Sequence, residues 1–504
     1  MSARHAYMAA AALLVAVVAV VNLTAPTATA FPESDAWAHV AALNEWTSNI
    51  GDPGHPHLAV NTPSVRYIPP FLPLAALSAA AGWSALTAFA ISAIVAVTLL
   101  TAVLYGFYRM MFPQWPWAPL LGLGLTVFGW GLASPWSGLF ELRSLVGVAG
   151  YPSAWGVVAG LAMVLAAARA AETRNPWWLI ATALLSAIAL LSHLAAAAFA
   201  YSVAVVVAVD RSWRSFIAPG VAAIAGIAAA FAWPFFSMAD VVTHRVLFEE
   251  MPRLADQFYS PLPVLAMVAP ALVGIYALST LPAGRRFALM LGGVAMAAVW
   301  IINIWVSVPL GDRFLLFSLF YLHLAIVAWL MPLLQRTDAD DRLAVVLRAI
   351  AAALIVGHVF LLAVDFGGRR ITVSGISELP NSGQTGIVNQ MEDIATAVPD
   401  DAIVMADDLT GFVLPAFSGK VAATRRDTFG VDDAEIRVAD AGEFFAAATS
   451  RQRRADLLDA YGATLILFAP EKAGEEVTAD LLAMGRVAVA TPFFTLVAPD
   501  SAYR

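Results

Sequence analysis

Two carboxylates and a histidine follow directly on the first apolar run of this 504-residue chain, in FPESDAWAHVAALNEW (31–46). Asp35 and His39 stand four apart, so a helix over 34–48 puts them on one face. A carboxylate at a partly dry interface accepts a proton from a hydroxyl and makes it a nucleophile; a neighbouring imidazole can orient it or share the proton. Glu33 competes with Asp35 for that part. The same spacing also suits a solvated helix whose charges mark a membrane edge. On that helix Ala36, Val40 and Leu43 form a face that can rest on a membrane surface, with Trp37 and Trp46 as interface anchors.

The rest of the 29–69 loop holds Glu45, Asp52, His55, His57 and Arg66. Imidazole and carboxylate from His39, His55, His57 and Asp35 would suit zinc or manganese. The HPH spacing belongs to a loop rather than to a ligand-bearing helix, so no metal is expected, and a divalent cation stays an option. Arginine forks hold phosphate bidentately, and Arg143, Arg245 and Arg313 each lie where an apolar run breaks off. Each also suits a plain charge flanking a span, and Asp312 and Arg313 can pair with each other. His193 sits between two apolar halves, where an ionisable residue points to function; a neutral histidine bonded to a helix carbonyl is the alternative. Asp407 and Asp408 read as a cap or turn.

These residues need elements to hold them. The composition is 60% hydrophobic and only 13% charged, and apolar runs long enough to cross a bilayer recur along most of the chain. This is a polytopic α-helical membrane protein. About eleven spans are expected, near 7–28, 84–108, 117–133, 152–170, 177–191, 193–209, 215–236, 261–281, 287–309, 313–333 and 345–366. The first reads as an uncleaved span, with a cleaved signal peptide as the alternative. The run 177–209 is too long for one crossing and splits at His193. The stretch 69–82 is too short, and is expected to hairpin onto the next helix at Gly82.

With the N-terminus in the cytoplasm, the inner loops carry Arg4, Arg109, Arg169, Arg174, Arg211, Arg214, Arg285, Arg286, Arg336 and Arg342. The outer loops carry Arg66, Arg143, Arg245, Arg253 and Arg313. That bias fits the positive-inside rule. A membrane module over 1–366 is then followed by a small extracytoplasmic α/β domain over 367–504. There DAIVMAD, GATLILFA and AVATPFFTLVA read as strands, and GIVNQMEDIATAV and the stretch 434–462 as helices. No basic stripe suits nucleic acid. With no cysteine, disulfides, thiolate metal sites and cysteine nucleophiles are excluded.

At several places the sequence resembles a known family: FPESDAWAH after the first helix, RYIPPFLPLAALSAAAGW, GYPSAWGVVAGLAMVLAAA, LSHLAAAAFAY, and the tail from PDDAIVMADDLTG to LLDAYGATLILF. Together these resemble the GT-C superfamily of integral membrane glycosyltransferases, in a family 39-like form. The resemblance implies a sugar on a polyprenyl phosphate as donor and a glycan, lipid or protein hydroxyl as acceptor. It implies inverting transfer with an acid of the first outer loop as general base; the Ala- and Arg-rich, Lys-poor composition suggests a bacterial inner membrane. That role maps to Asp35, with Glu33 as rival and His39 beside them. Arg143, Arg245 and Arg313 become candidates for the donor phosphate, and Arg66, Tyr151, His193 and His244 for substrate contacts. Relatives often carry adjacent acids in this loop; here they are split as Glu-Ser-Asp. Two rivals remain: a transporter or flippase of lipid-linked glycans, which would want polar groups deep in several spans, and a non-catalytic envelope-assembly protein.

Overall fold

The structure, a computed structural model, describes residues 1–24, 35–131, 139–243, 260–306, 308, 310–336, 342–367 and 384–503. The chain forms two compact units. One comprises Met1–Val20 with Ala93–Gly368, the other Val21–Ser92 with Arg369–Arg504.

In the first unit every expected span has a helical counterpart. Among the described residues, nine helices are long and apolar enough to cross a membrane, and Ala118–Phe128 and Pro176–Ser192 are shorter apolar helices. The expected span 261–281 is jointed: Pro261–Val268 gives way to a 3-10 turn, Ala269–Leu272, before Val273–Thr280. Pro270 lies in that turn and has no N–H to continue the ladder. The run 177–209 does split at His193. Its backbone is extended, and it closes Pro176–Ser192 and opens Leu194–Arg211.

Helices Pro152–Thr173 and Leu194–Arg211 approach closely at GVVAG (156–160). A Cβ on Gly160 would lie 2.4 Å from the Ala200 Cβ, and one on Gly156 2.9 Å from the Ala196 Cβ and 3.0 Å from the His193 Cβ. Small residues four apart let two backbones pack this tightly where both neighbours are apolar.

The second unit holds a five-stranded sheet of β1 (Ile403–Ala406), β2 (Lys420–Val421), β3 (Leu465–Phe468), β4 (Gly485–Ala490) and β5 (Thr495–Pro499), in the order β2-β1-β3-β5-β4. β1 runs parallel to β2 and β3, while β5 is antiparallel to β3 and β4. Met405, Ile466, Phe468 and Val497 meet Phe444, Leu457 and Leu481 of the covering helices in one core. AVATPFFTLVA is a hairpin rather than one strand, since Thr491 and Phe494 close a turn between β4 and β5. The 434–462 stretch is two helices, Ala434–Phe444 and Arg451–Tyr461, the second capped by Ser450.

The first loop belongs to this same unit. His57–Leu58 runs beside β2: Val421 donates to the His57 carbonyl at 2.8 Å, and Leu58 bridges Val421 in parallel. Helix Ala36–Ser48 is buried on several faces, with Trp37 against Phe417 and the Asn44 amide donating to the Pro415 carbonyl. Trp37 and Trp46 are therefore core residues and not membrane-surface anchors. Phe71–Ala81 is short, as expected, and turns at Gly82, whose φ of +67° suits glycine.

Candidate functional site

In the membrane unit two of the sequence candidates meet. Arg313 Nη1 lies 3.0 Å from His193 Nε2. Asn303 builds the turn that presents the arginine. Its amide donates to Asp312 Oδ1 at 2.9 Å and its carbonyl accepts the Val308 N–H at 2.7 Å. Leu310 takes a left-handed φ of 55°. Gly311 is required, because a Cβ there would fall 2.3 Å from Asn303 Cγ. Asp312 thus serves the turn that brings Arg313 to His193.

On the other side of its ring, His193 Nδ1 receives the Ala196 N–H at 3.2 Å. Both imidazole nitrogens therefore face donors. A neutral ring carries one N–H and a guanidinium has no acceptor, so the ring cannot satisfy both neighbours. One turn further along both helices the packing is aromatic: Phe199 and Phe317 stack at 4.6 Å, and Phe140 and Phe320 pack at 5.7 Å.

Glu141 precedes helix Leu142–Val148 and caps it, its Oε2 accepting the Ser144 N–H at 2.9 Å. Its Oε1 lies 3.7 Å from Nε2 of His358, and both side chains are buried. Arg143 is half-buried on that short helix, and Tyr151 is half-buried at the start of Pro152–Thr173.

In the second unit, Asp35 stands exposed at the start of Ala36–Ser48, and its carboxylate makes no hydrogen bond or ion pair among the described residues. His39 is buried, with its ring against Phe71, Phe89 and the Arg66 guanidinium, whose Nη1 is 3.3 Å from each ring nitrogen. The expected acid–histidine pair does not form; the two residues join only through the His39 N–H and the Asp35 carbonyl. The reason is packing: the helix turns His39 inward while Asp35 lies where burial begins.

Arg66 is likewise a structural residue here. Its Nε donates to Asp427 Oδ1 at 2.9 Å, and Ser64 reaches the other oxygen. Asp427 holds a left-handed φ of 61°, and its carbonyl accepts from His55 Nε2 at 2.7 Å. His55 Nδ1 accepts the N–H groups of His57 and Leu58, which fixes its tautomer and shapes the loop. His57 stacks on Phe412. Burial pushes the Asp427 carboxyl up, but Arg66, then His57 and His55, overcome it and hold the group well below the usual carboxylate range. Burial drives His55 down to about 4 and His57 down as well, with Asp427 opposing.

Lys420 gives Nζ to Glu45 and to the His55 and Pro56 carbonyls. Burial opposes the Glu45 charge, yet Lys420 holds its carboxyl below the ordinary range, while burial draws Lys420 itself down. The oxygen cage around Nζ marks this as an ion pair.

His39, His55 and His57 are thus engaged in packing and hydrogen bonds, and no group of metal ligands is found among the described residues. Asp407 caps, as one reading of the sequence had it: its oxygens accept from Thr410 and Ala469. Glu33, His244 and Arg245 lie outside the described residues. Asn303, Lys420 and Asp427 were not singled out in the sequence.

The architecture that holds these residues is many membrane-length helices and one small sheet. Among solved structures the chain is similar to ArnT from Cupriavidus metallidurans bound to undecaprenyl phosphate, at TM-score 0.56 and 12% identity over 98% of each chain. It is also similar to the arabinofuranosyltransferase AftD from Mycobacteria, at TM-score 0.52 and 13% identity, over 97% of this chain and 40% of that one. At such identities the likeness is one of fold. No family profile and no curated protein matches the sequence.

Proposed function

We propose that the protein is a membrane glycosyltransferase that moves a sugar from a polyprenyl-phosphate-linked donor to a hydroxyl of a glycan, lipid or protein. The observation that carries this is the whole-chain likeness to a structure bound to undecaprenyl phosphate. Asp35, exposed and uncommitted, takes the acceptor proton. The acceptor oxygen then bonds to the anomeric carbon from the face opposite the phosphate, the carbon–oxygen bond to phosphate breaks, and the phosphate leaves with the electron pair. Arg313, Arg143 and Arg245 are assigned to that phosphate; Tyr151, His193 and His244 to substrate. Arg66 supports the loop instead. The reaction is placed on the outer face of the inner membrane, with the N-terminus cytoplasmic, from the arginine bias.

The test is transfer by purified protein with native lipid extract as donor. Asp35→Asn should lower the rate about 10²–10⁴-fold, the usual contribution of a general base, while donor binding persists. Full activity in Asp35→Asn and in Glu33→Gln would remove the general-base assignment. No transfer by wild type would favour a second reading, a transporter of lipid-linked glycans. For that reading the buried Glu141–His358 pair in the membrane unit is the supporting feature.

A further inference from the structure

A cleft of about 520 Å³ opens in the second unit, lined by Asn44 and Thr47 of helix Ala36–Ser48, by Trp83, and by Glu392, Asp400 and Phe417 of the C-terminal segment. Among the described residues its lining contains no lysine, arginine or histidine, a chemistry ill-suited to a phosphate. Asp400 Oδ1 accepts from Ser418 at 3.1 Å. Its other oxygen, and both oxygens of Glu392, make no hydrogen bond among the described residues. Trp83 is 38% exposed at the rim. Acceptors without a cation, hydroxyls and an open aromatic face make up a surface for a neutral polyol. Sugar hydroxyls can donate to the carboxylates, and the C–H face of a sugar ring can lie on the indole.

We propose that this cleft is a saccharide subsite. Asn44 and Thr47 lie nine and twelve residues beyond Asp35, about 14–18 Å along the helix at 1.5 Å per residue. A ring seated there is not the ring whose hydroxyl Asp35 would deprotonate. The subsite grips an acceptor of several sugars away from the reacting end. In that form the inference rests on the transferase reading and names its acceptor class, an oligosaccharide.

The experiment is saturation-transfer NMR on the full chain in nanodiscs, with mannotetraose and an arabinofuranose tetrasaccharide as neutral probes and a glucosamine tetramer as the cationic one. A neutral probe should bind. Trp83→Ala should weaken it at least tenfold, Trp83→Phe should restore most of the affinity, and Asp400→Asn with Glu392→Gln should weaken it comparably. Asp35→Asn should bind like wild type, which separates the subsite from the chemistry. If wild type binds a neutral probe but transfers no sugar, the transferase reading fails and the subsite stands. If wild type transfers but binds neither neutral probe, the subsite is overturned alone. It is also overturned if only the cationic probe binds, or if Trp83→Ala and the acid double variant bind as wild type. The last result would leave Trp83 as a membrane-interface anchor.

Discussion

Arg313 and His193 are 120 residues apart in sequence, yet their side chains meet at 3.0 Å between the starts of two different helices. The arginine is delivered by a turn built from Asn303, Gly311 and a left-handed Leu310, while the histidine is delivered by a break between two helices. A guanidinium and a backbone N–H thus face the two nitrogens of one imidazole.

With Arg313 proposed to hold the donor phosphate, replacing its guanidinium should affect the donor more than the fold. A charge-assisted hydrogen bond contributes about 1.5–3 kcal/mol, so Arg313→Ala should lower kcat/KM about 10–150-fold, and Arg313→Lys should recover part of the loss. His193→Ala should cost less, because it removes the competitor as well as the support. Steady-state kinetics against donor concentration check this. Equal effects of the two alanine variants on thermal stability, with none on the donor KM, would make the pair structural.

The buried histidines of the first loop predict an acid-sensitive second unit. His55 is held down to about 4 by burial, against about 6.5 in an unfolded chain. Between those values the unfolded chain takes up a proton that the folded one refuses. Stability therefore falls as pH drops from about 6.5 to 4, by about 3 kcal/mol from this residue. Hydrogen exchange of the 53–60 and 420–428 peptides should speed up across that window, and His55→Asn should flatten the dependence. Exchange independent of pH there, after correction for intrinsic rates, would contradict the assignment.

The membrane helices were legible because a bilayer fixes the length of an apolar run, and the break at His193 because one helix of that run would overshoot it. The strands β1 and β3 were legible as short apolar runs between turns. What was not legible depended on distant partners. Asp427 holds Arg66 across 361 residues, and β2 is two residues recruited by their neighbours. The inward turn of His39 follows from Arg66, Phe71 and Phe89 closing around it. Spacing along one helix says that two residues share a face, but not which of them the rest of the chain will cover.

Asp427 predicts a different acid limb. Its folded value lies below the ordinary one, so the stability it supplies is present above about pH 4 and is lost as pH falls through the folded value. Asp427→Asn leaves Arg66 without its buried partner and should cost about 3 kcal/mol. Arg66→Ala should cost about as much, and the double variant less than the sum. Local exchange rates of the 64–68 peptide read all three. Additive costs would mean that the two residues act independently.

Gly160 and Gly156 set how closely two helices of the membrane unit pack. At Gly160 an added methyl meets the Ala200 Cβ at 2.4 Å, and neither side chain has a torsion to relieve it, so the helices must part. Gly160→Ala should cost about 1–3 kcal/mol, read as a lower melting temperature in detergent. At Gly156 the same methyl meets His193 itself at 3.0 Å. Gly156→Ala should therefore move the imidazole away from Arg313 and change the donor KM, whereas Gly160→Ala should act mainly through stability. In a Gly156→Ala background, Arg313→Lys should lose less than it does alone, because the geometry that needs the planar fork is already disturbed. Full activity and an unchanged melting temperature in Gly156→Ala would show that the helices do not approach as closely as the GVVAG packing requires.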